Sequence, residues 1–430
     1  MPIIERNAYL QKLIDYMWDG QVKVITGIRR CGKSFLLKEI FIPYIKQQGA
    51  SNKEIMFIEL DKLSFIQYRN PLFLVEKVKA YASSPEKKYY LFIDEIQNAD
   101  SIINPYDKAG KKINVFDALN DLMGIQNLDI YVTGSDSVML SNDILTNFRG
   151  RSDEIRVHPL SFSEYSAVFS NLDSKEVFDE YCFFGGMPQI ISKKTDSEKM
   201  DYLNDLFERT YLKDILERRK IKKPDILSRI IDFLSSSIGS LTNPRKIANT
   251  LSSKGYPIES KTISKYLSYL EEAYLFTEAK RYDIKGKSYF DYPSKYYCED
   301  IGLRNARIEF RQQEITHIME NIVFNELKYR GYSVDVGVIE DRHLNSQGEP
   351  QKIQREIDFI ANKGYQRIYI QSTFSLPTDE KIKSEKTGFL LTKDSFRKVI
   401  VRGDINKTWI DDSGIMNIGI IDFLKGNKWE

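Results

Sequence analysis

Strand-length apolar runs alternate along this chain with stretches in which apolar residues recur every three or four positions. The runs at 22–26, 55–60 and 89–95 are largely apolar, and 129–135 holds Ile130-Tyr131-Val132 together, the pattern of strands covered on both faces of a parallel sheet. Between them, 35–40 and 72–80 have helical spacing, and Tyr9, Leu10, Leu13, Ile14, Met17 and Trp18 mark an amphipathic helix within 1–20. Another strand is expected at 154–158. Strands alternating with helices predict an α/β fold with a parallel sheet. Residues 161–222 read as mostly helical, with Leu203, Leu206, Phe207, Tyr211, Ile215 and Leu216 on one face of 202–219. Helices at 226–237, 243–251 and 260–270 follow, the last capped by Ser260. Strands at 275–282 and 288–292 flank Lys285-Gly286-Lys287. Helix, turn, helix and hairpin in this order predict a winged helix. The final stretch predicts a helix at 315–329 and strands at 333–338, 356–360 and 367–371.

Placed on these elements, a few polar residues acquire a chemistry. Gly27-Ile28-Arg29-Arg30-Cys31-Gly32-Lys33-Ser34 lies between the first strand and a helix opened by Phe35. It fits G-x-x-x-x-G-K-[ST] in the context that motif requires. Its glycines permit a tight turn that brings backbone N–H groups to phosphates, and the helix N-terminus adds positive potential. Lys33 is expected on the β- and γ-phosphates and Ser34 on Mg²⁺. The run 89–95 ends in Asp94-Glu95. Asp94 is expected to organise Mg²⁺ and Glu95 to act as general base towards water. At the end of 129–135, a hydroxyl of Ser135 or of Thr133 would orient the water or touch the γ-phosphate; the same hydroxyls also suit a helix cap. Arg149 and Arg151, ahead of 154–158, are candidates for an arginine finger acting in trans, with Arg151 preferred; a solvated pair beside Asp153 and Glu154 is the alternative.

Composition narrows the partners. Of 430 residues, 42% are hydrophobic and 63 Lys+Arg nearly balance 61 Asp+Glu, so the cores are substantial and nucleic-acid contact would need a local basic patch. Cys31, Cys182 and Cys298 are far apart; they form no disulfide or zinc pattern, which suits a reducing, cytoplasmic setting. No signal-peptide core and no membrane-spanning run is legible. Candidate basic patches are 218–223, the helix face with Lys261, Lys265 and Tyr266, and Lys285 and Lys287 on the wing; solvated faces and a protein-binding winged helix are the alternatives.

Taken together, Gly27 to Ser34, Ile93-Asp94-Glu95, Val132-Thr133-Gly134-Ser135, Gly150-Arg151, Pro159-Leu160-Ser161-Phe162-Ser163-Glu164-Tyr165 and Gly185-Gly186-Met187-Pro188 stand in an order that resembles the prokaryotic AAA-type ATPases carrying a C-terminal domain of unknown function. The resemblance implies ATP as nucleotide, an added strand between those of the two motifs, a winged helix and the capacity to form homo-oligomers. The expected organisation is an AAA-type ATP-binding domain at 1–165, a helical lid at 166–223, a winged helix at 224–304 and a restriction-endonuclease-like α/β domain at 305–430. In that last domain Glu320, Asp358 and Gln371 stand where PD-(D/E)xK nucleases place their acids. The lysine due two residues beyond Gln371 is Thr373. A degenerate nuclease fold follows, with Lys381 and Lys383 as distant substitutes. The expected function is Mg²⁺-dependent ATP hydrolysis that drives or gates the C-terminal modules on DNA. The alternatives are an ATP-dependent switch for a protein partner and a DNA-processing or defence nuclease.

Overall fold

A computed structural model describes residues 4–134, 150–311, 314–344, 350–426 and 429. The chain divides into two units, Met1–Pro159 with Glu272–Tyr274, and Leu160–Glu271 with Leu275–Glu430. In the first, β1 (Val22–Thr26), β2 (Ile55–Glu59), β3 (Tyr89–Asp94), β4 (Leu128–Thr133) and β5 (Ser152–Arg156) form one parallel sheet in the order β2-β3-β4-β1-β5. Strand β4 lies between β1 and β3, as the resemblance implies. Every residue of β1, β3 and β4 is buried, which is why these runs are apolar without alternation. Strand β5 begins two residues before the expected 154 because its five residues pair with all five of β1.

The helices of this unit are α1 (Asn7–Asp15), α2 (33–47), α3 (Pro71–Tyr81) and α4 (Val115–Leu122). Helix α2 widens to π-helical geometry at Leu36–Phe41 before Pro43, whose missing N–H a regular helix would need. The sequence reading did not anticipate α4. It is capped reciprocally by Asn114 and Asp117, and Val115, Phe116, Leu119 and Leu122 join Leu91, Ile93 and Val132 in the core.

The second unit opens with α5 (Phe162–Val168), α6 (Ser174–Phe184) and α7 (196–219), the last with a π-helical stretch at Phe207–Leu212. Helices α8 (Pro224–Ser236), α9 (Pro244–Ser253) and α10 (Ser260–Glu272) follow. Next come β6 (Phe276–Ala279), β7 (Arg281–Asp283), β8 (Ser288–Tyr289) and β9 (Lys295–Cys298). The strand pair behind the three helices is β6 with β9. The hairpin β7–β8 around 285–287 does form, but β7 runs parallel to a strand of the C-terminal sheet. Lys285 and Lys287 are therefore exposed on that sheet's edge hairpin. Tyr266, expected on a DNA-binding face, is instead buried with Ile263, Leu267 and Leu270, whose spacing places all four on the inner stripe of α10.

The C-terminal part continues through α11 (Ile301–Arg307), α12 (Ile315–Tyr329), β10 (Ser333–Leu344), β11 (Pro350–Lys363), β12 (Gln366–Thr373), α13 (Asp379–Thr392), β13 (Arg397–Arg402), β14 (Trp409–Ile410) and β15 (Met416–Gly419). Its eight-stranded sheet has the order β8-β7-β10-β11-β12-β13-β15-β14. Strands β10, β11 and β12 form an antiparallel meander, and α13 crosses over to β13, which is parallel to β12. No described helix is long and apolar enough to cross a membrane. The three cysteines are buried and unbridged.

Candidate functional site

The sheet order sets the site. In a parallel sheet all strands end on one edge, and here β1, β3 and β4 deliver Gly27, Asp94 and Thr133 to the same edge. The loop after β1 turns through left-handed backbone at Gly27 (φ 133°), Arg30 (φ 61°) and Gly32 (φ 103°), a conformation that turns successive N–H groups into an anion-binding concavity. At Gly27 a Cβ would stand 2.1 Å from the Val157 carbonyl oxygen, so only glycine fits. Ile28 and Cys31 point into the core, Arg29 is half-buried, and Arg30 and Phe35 are exposed. The loop thus offers its backbone to a ligand and uses two of its side chains as anchors.

Lys33 is buried, and its ammonium donates to the carbonyls of Gly27 (2.9 Å) and Ile28 (3.1 Å) of its own loop. Ser34 Oγ donates to Asp94 Oδ1 at 2.9 Å. The Thr133 hydroxyl donates to the same oxygen, and the Glu95 N–H donates to Thr133 Oγ1 at 3.0 Å. Burial pushes the Asp94 carboxyl above its usual range, and neighbouring Glu95 adds to the shift, while hydrogen bonds from Thr133 and Ser34 oppose it. A buried carboxylate and a hydroxyl on one oxygen suit a small hard cation. Glu95 is a non-glycine residue in left-handed backbone (φ 55°), and its carboxylate accepts from Gln97 Nε2. The expected pair of acids and the expected Ser34 thus converge. Of the two candidate hydroxyls, Thr133 touches this cluster; Ser135 and Arg149 lie outside the described residues. Arg151 is exposed and precedes β5, on the sheet edge where the strands begin. A five-residue strand spans about 17 Å, so Arg151 stands at the opposite edge from the phosphate loop of its own chain.

Arg6 stands in the sequence just before α1. In the fold it is buried, donates to Cys31 O (3.3 Å) and His158 O (2.8 Å), and lies over the Tyr9 ring. Tyr9 Oη in turn accepts the His158 N–H at 3.0 Å. The N-terminal helix therefore pins the phosphate loop to the end of β5. Charged hydrogen bonds contribute roughly 1.5–3 kcal/mol each. Arg6→Ala is expected to weaken nucleotide binding by about tenfold or more, measured by titration with a fluorescent ATP analogue; unchanged affinity would show that the loop holds its shape without Arg6.

A second cluster lies in the C-terminal part. Glu320 of α12 and Asp358 of β11 are buried and share a partner, Lys295. Gln371 is in place on β12, but its side-chain oxygen accepts the Asp358 N–H at 3.3 Å. Thr373 is buried and donates to Ser375 O at 3.2 Å; Lys381 and Lys383 are exposed on α13. The sequence reading missed Lys295, which comes from β9, long before the expected motif. On the outer face of α10, Lys261 and Lys265 are exposed, and half-buried Tyr269 has the Arg219 guanidinium at 5.2 Å and the Lys265 ammonium at 5.7 Å from its ring centroid.

A family model described as an AAA domain matches residues 19–166, and one for a domain of unknown function, DUF8612, matches 175–314. An uncharacterized protein of Haemophilus influenzae is 35% identical over 428 residues, 98% of each chain. One of Methanocaldococcus jannaschii is 29% identical over 328 residues, 73% of this chain and 68% of that one. Among solved structures, a Walker-type ATPase of Pyrococcus abyssi aligns at 16% identity with a TM-score of 0.47, covering 71% of this chain and 96% of its own.

Proposed function

This chain belongs to the AAA-type P-loop ATPase family, and on that premise we propose that it hydrolyses ATP and uses the cycle to drive or gate its C-terminal modules on DNA. The observation that carries the proposal is the continuous set of hydrogen bonds Ser34–Asp94–Thr133–Glu95 on one sheet edge beside Lys33. The loop N–H groups and Lys33 bind the phosphates; Lys33 exchanges its two loop carbonyls for phosphate oxygens. Ser34 and Asp94 would hold Mg²⁺, which when bound neutralises charge on the phosphates. Thr133 keeps Asp94 and Glu95 in register. Glu95 takes the proton of the attacking water. Arg151, exposed and distant from its own loop, acts on the site of a neighbouring copy.

Support for the modules is topological and electrostatic. Three helices followed by the β6–β9 pair fit a winged helix. The order α12, β10-β11-β12 antiparallel, α13 and parallel β13 fits a nuclease-like core. Lys261, Lys265 and Arg219 around Tyr269 form a cationic face with a ring for stacking, which favours DNA as the partner. One assay tests the whole reading: phosphate release by the purified chain with and without Mg²⁺ and duplex DNA. Turnover that requires Mg²⁺ and changes with DNA is expected. No turnover in any condition sinks the ATPase reading, and turnover indifferent to DNA leaves the protein-partner switch. Mixing Arg151→Ala with Glu95→Gln chains is expected to restore activity that neither has alone; failure to restore removes the trans role.

A further inference from the structure

Glu320, Glu356 and Asp358, three carboxylates of the C-terminal part, meet around one cation of the chain itself. The Lys295 ammonium on β9 lies 2.9 Å from Glu320 Oε1, 2.7 Å from Glu356 Oε1 and 3.7 Å from Asp358 Oδ1, and its side chain is 5% exposed. Two of the three carboxylates carry further hydrogen bonds. Tyr297 Oη donates to Glu320 Oε1 at 2.6 Å, and Asp358 Oδ2 accepts the Ser372 N–H at 2.8 Å. Gln371 spends its oxygen on the Asp358 backbone. Gly239 also stands close to Glu320: a Cβ there would be 3.1 Å from the carboxylate.

A two-metal or one-metal nuclease needs these oxygens for the ion and a lysine beside the attacked phosphate. Here the lysine occupies the centre, and a divalent ion on the same oxygens would be pressed against a buried ammonium. Burial alone would lower the Lys295 pKa, but Glu320, Asp358 and Glu356 outweigh it and hold the group charged. The residues present therefore do not fit a metal.

We propose that Lys295 is the fixed cation of this site: its ammonium takes the place of a divalent ion among Glu320, Glu356 and Asp358, so that the domain takes up no Mg²⁺ or Mn²⁺ there and does not cleave DNA. A neutral residue at 295 turns the same carboxylates into a metal site. This inference does not depend on ATP hydrolysis.

The test is Mn²⁺ titration of the full chain without nucleotide, read by electron paramagnetic resonance, with thermal melting in parallel. The wild-type chain and Glu356→Gln are expected to bind the same number of Mn²⁺ ions. Lys295→Gln is expected to bind one more per chain, to melt higher with Mn²⁺ than without, and to lose both effects in Lys295→Gln/Glu356→Gln. A Mn²⁺ ion bound by wild type and lost in Glu356→Gln overturns the proposal, as does a folded Lys295→Gln that gains none. Should Lys295→Gln not fold, the comparison of wild type with Glu356→Gln decides alone: equal binding supports the proposal and unequal binding overturns it.

Discussion

Replacing Glu95 with Gln is expected to lower ATP turnover by roughly 10²–10⁴-fold, the usual contribution of a positioned general base, while ATP binding survives. The substitution keeps the size of the side chain and its backbone conformation. Glu95 sits in left-handed backbone with its N–H on Thr133 Oγ1, neither of which involves the carboxylate. The amide cannot accept the proton of water. The phosphate loop, Lys33 and the Ser34–Asp94 hydrogen bond are untouched, so the site still cradles nucleotide. Asp94→Asn should behave differently. Asp94 joins Ser34 and Thr133 through one oxygen, so its loss weakens Mg²⁺-dependent binding as well as turnover. Phosphate release and titration with a fluorescent ATP analogue separate the two variants. If Glu95→Gln turns over ATP at the wild-type rate, the base is another residue.

The difference between what was legible in the sequence and what was not follows from distance along the chain. The phosphate loop could be read because its ligands are backbone groups whose geometry is dictated by Gly27, Gly32 and the strand and helix beside them. Asp94 and Glu95 could be read because a fully buried strand leaves its apolar run at one point only. Arg6 could not, since nothing near it in sequence says that its partners are the carbonyls of Cys31 and His158. Lys295 was hidden for the same reason: it reaches Glu320, Glu356 and Asp358 from a strand expected to belong to another domain. The hairpin at 285–287 was recognised by its turn, but the choice of neighbouring strand depends on the free edge of β10, which local pattern does not encode. Strands β13 and β15 were not anticipated, although Val399 to Val401 and Asn417 to Gly419 are buried and the two strands pair as the sixth and seventh of the eight-stranded sheet. Tyr266 was misplaced because Lys261 and Lys265 lie on the same helix; the period of 3.6 puts it on the other side of the two lysines.

Replacing Gly302 with Ala is expected to cost the second unit about 3 kcal/mol, at the upper end for forcing an extra methyl into packed structure. The resemblance drew attention to Gly185-Gly186-Met187-Pro188 without giving the segment a task, and its geometry supplies one. A Cβ at Gly302 would stand 2.0 Å from the Phe184 carbonyl oxygen and 2.4 Å from its carbon; at Gly186 it would stand 2.2 Å from the Leu160 oxygen. These are backbone atoms and cannot rotate away. Asp300 closes the joint. Its Oδ2 accepts the Gly186 N–H at 2.7 Å, and its Oδ1 accepts the Leu303 N–H at 3.0 Å, which caps α11. Burial pushes this carboxyl up to about 6, although N–H donors at Gly186, Leu303 and Gly302 pull the other way. Asn305 adds further bonds to the same turn, with Nδ2 2.9 Å from the carbonyls of both Cys182 and Phe183. The end of α6 and the start of α11 are thus held at a separation that admits no side chain. A methyl at 302 must part them, stretching the bonds of Asp300 and Asn305 together. For a unit of this size the loss corresponds to a drop in melting temperature of about 6–12 °C, measured by circular dichroism. A melting temperature within a degree of wild type would mean that the joint yields freely and that the paired glycines have some other purpose.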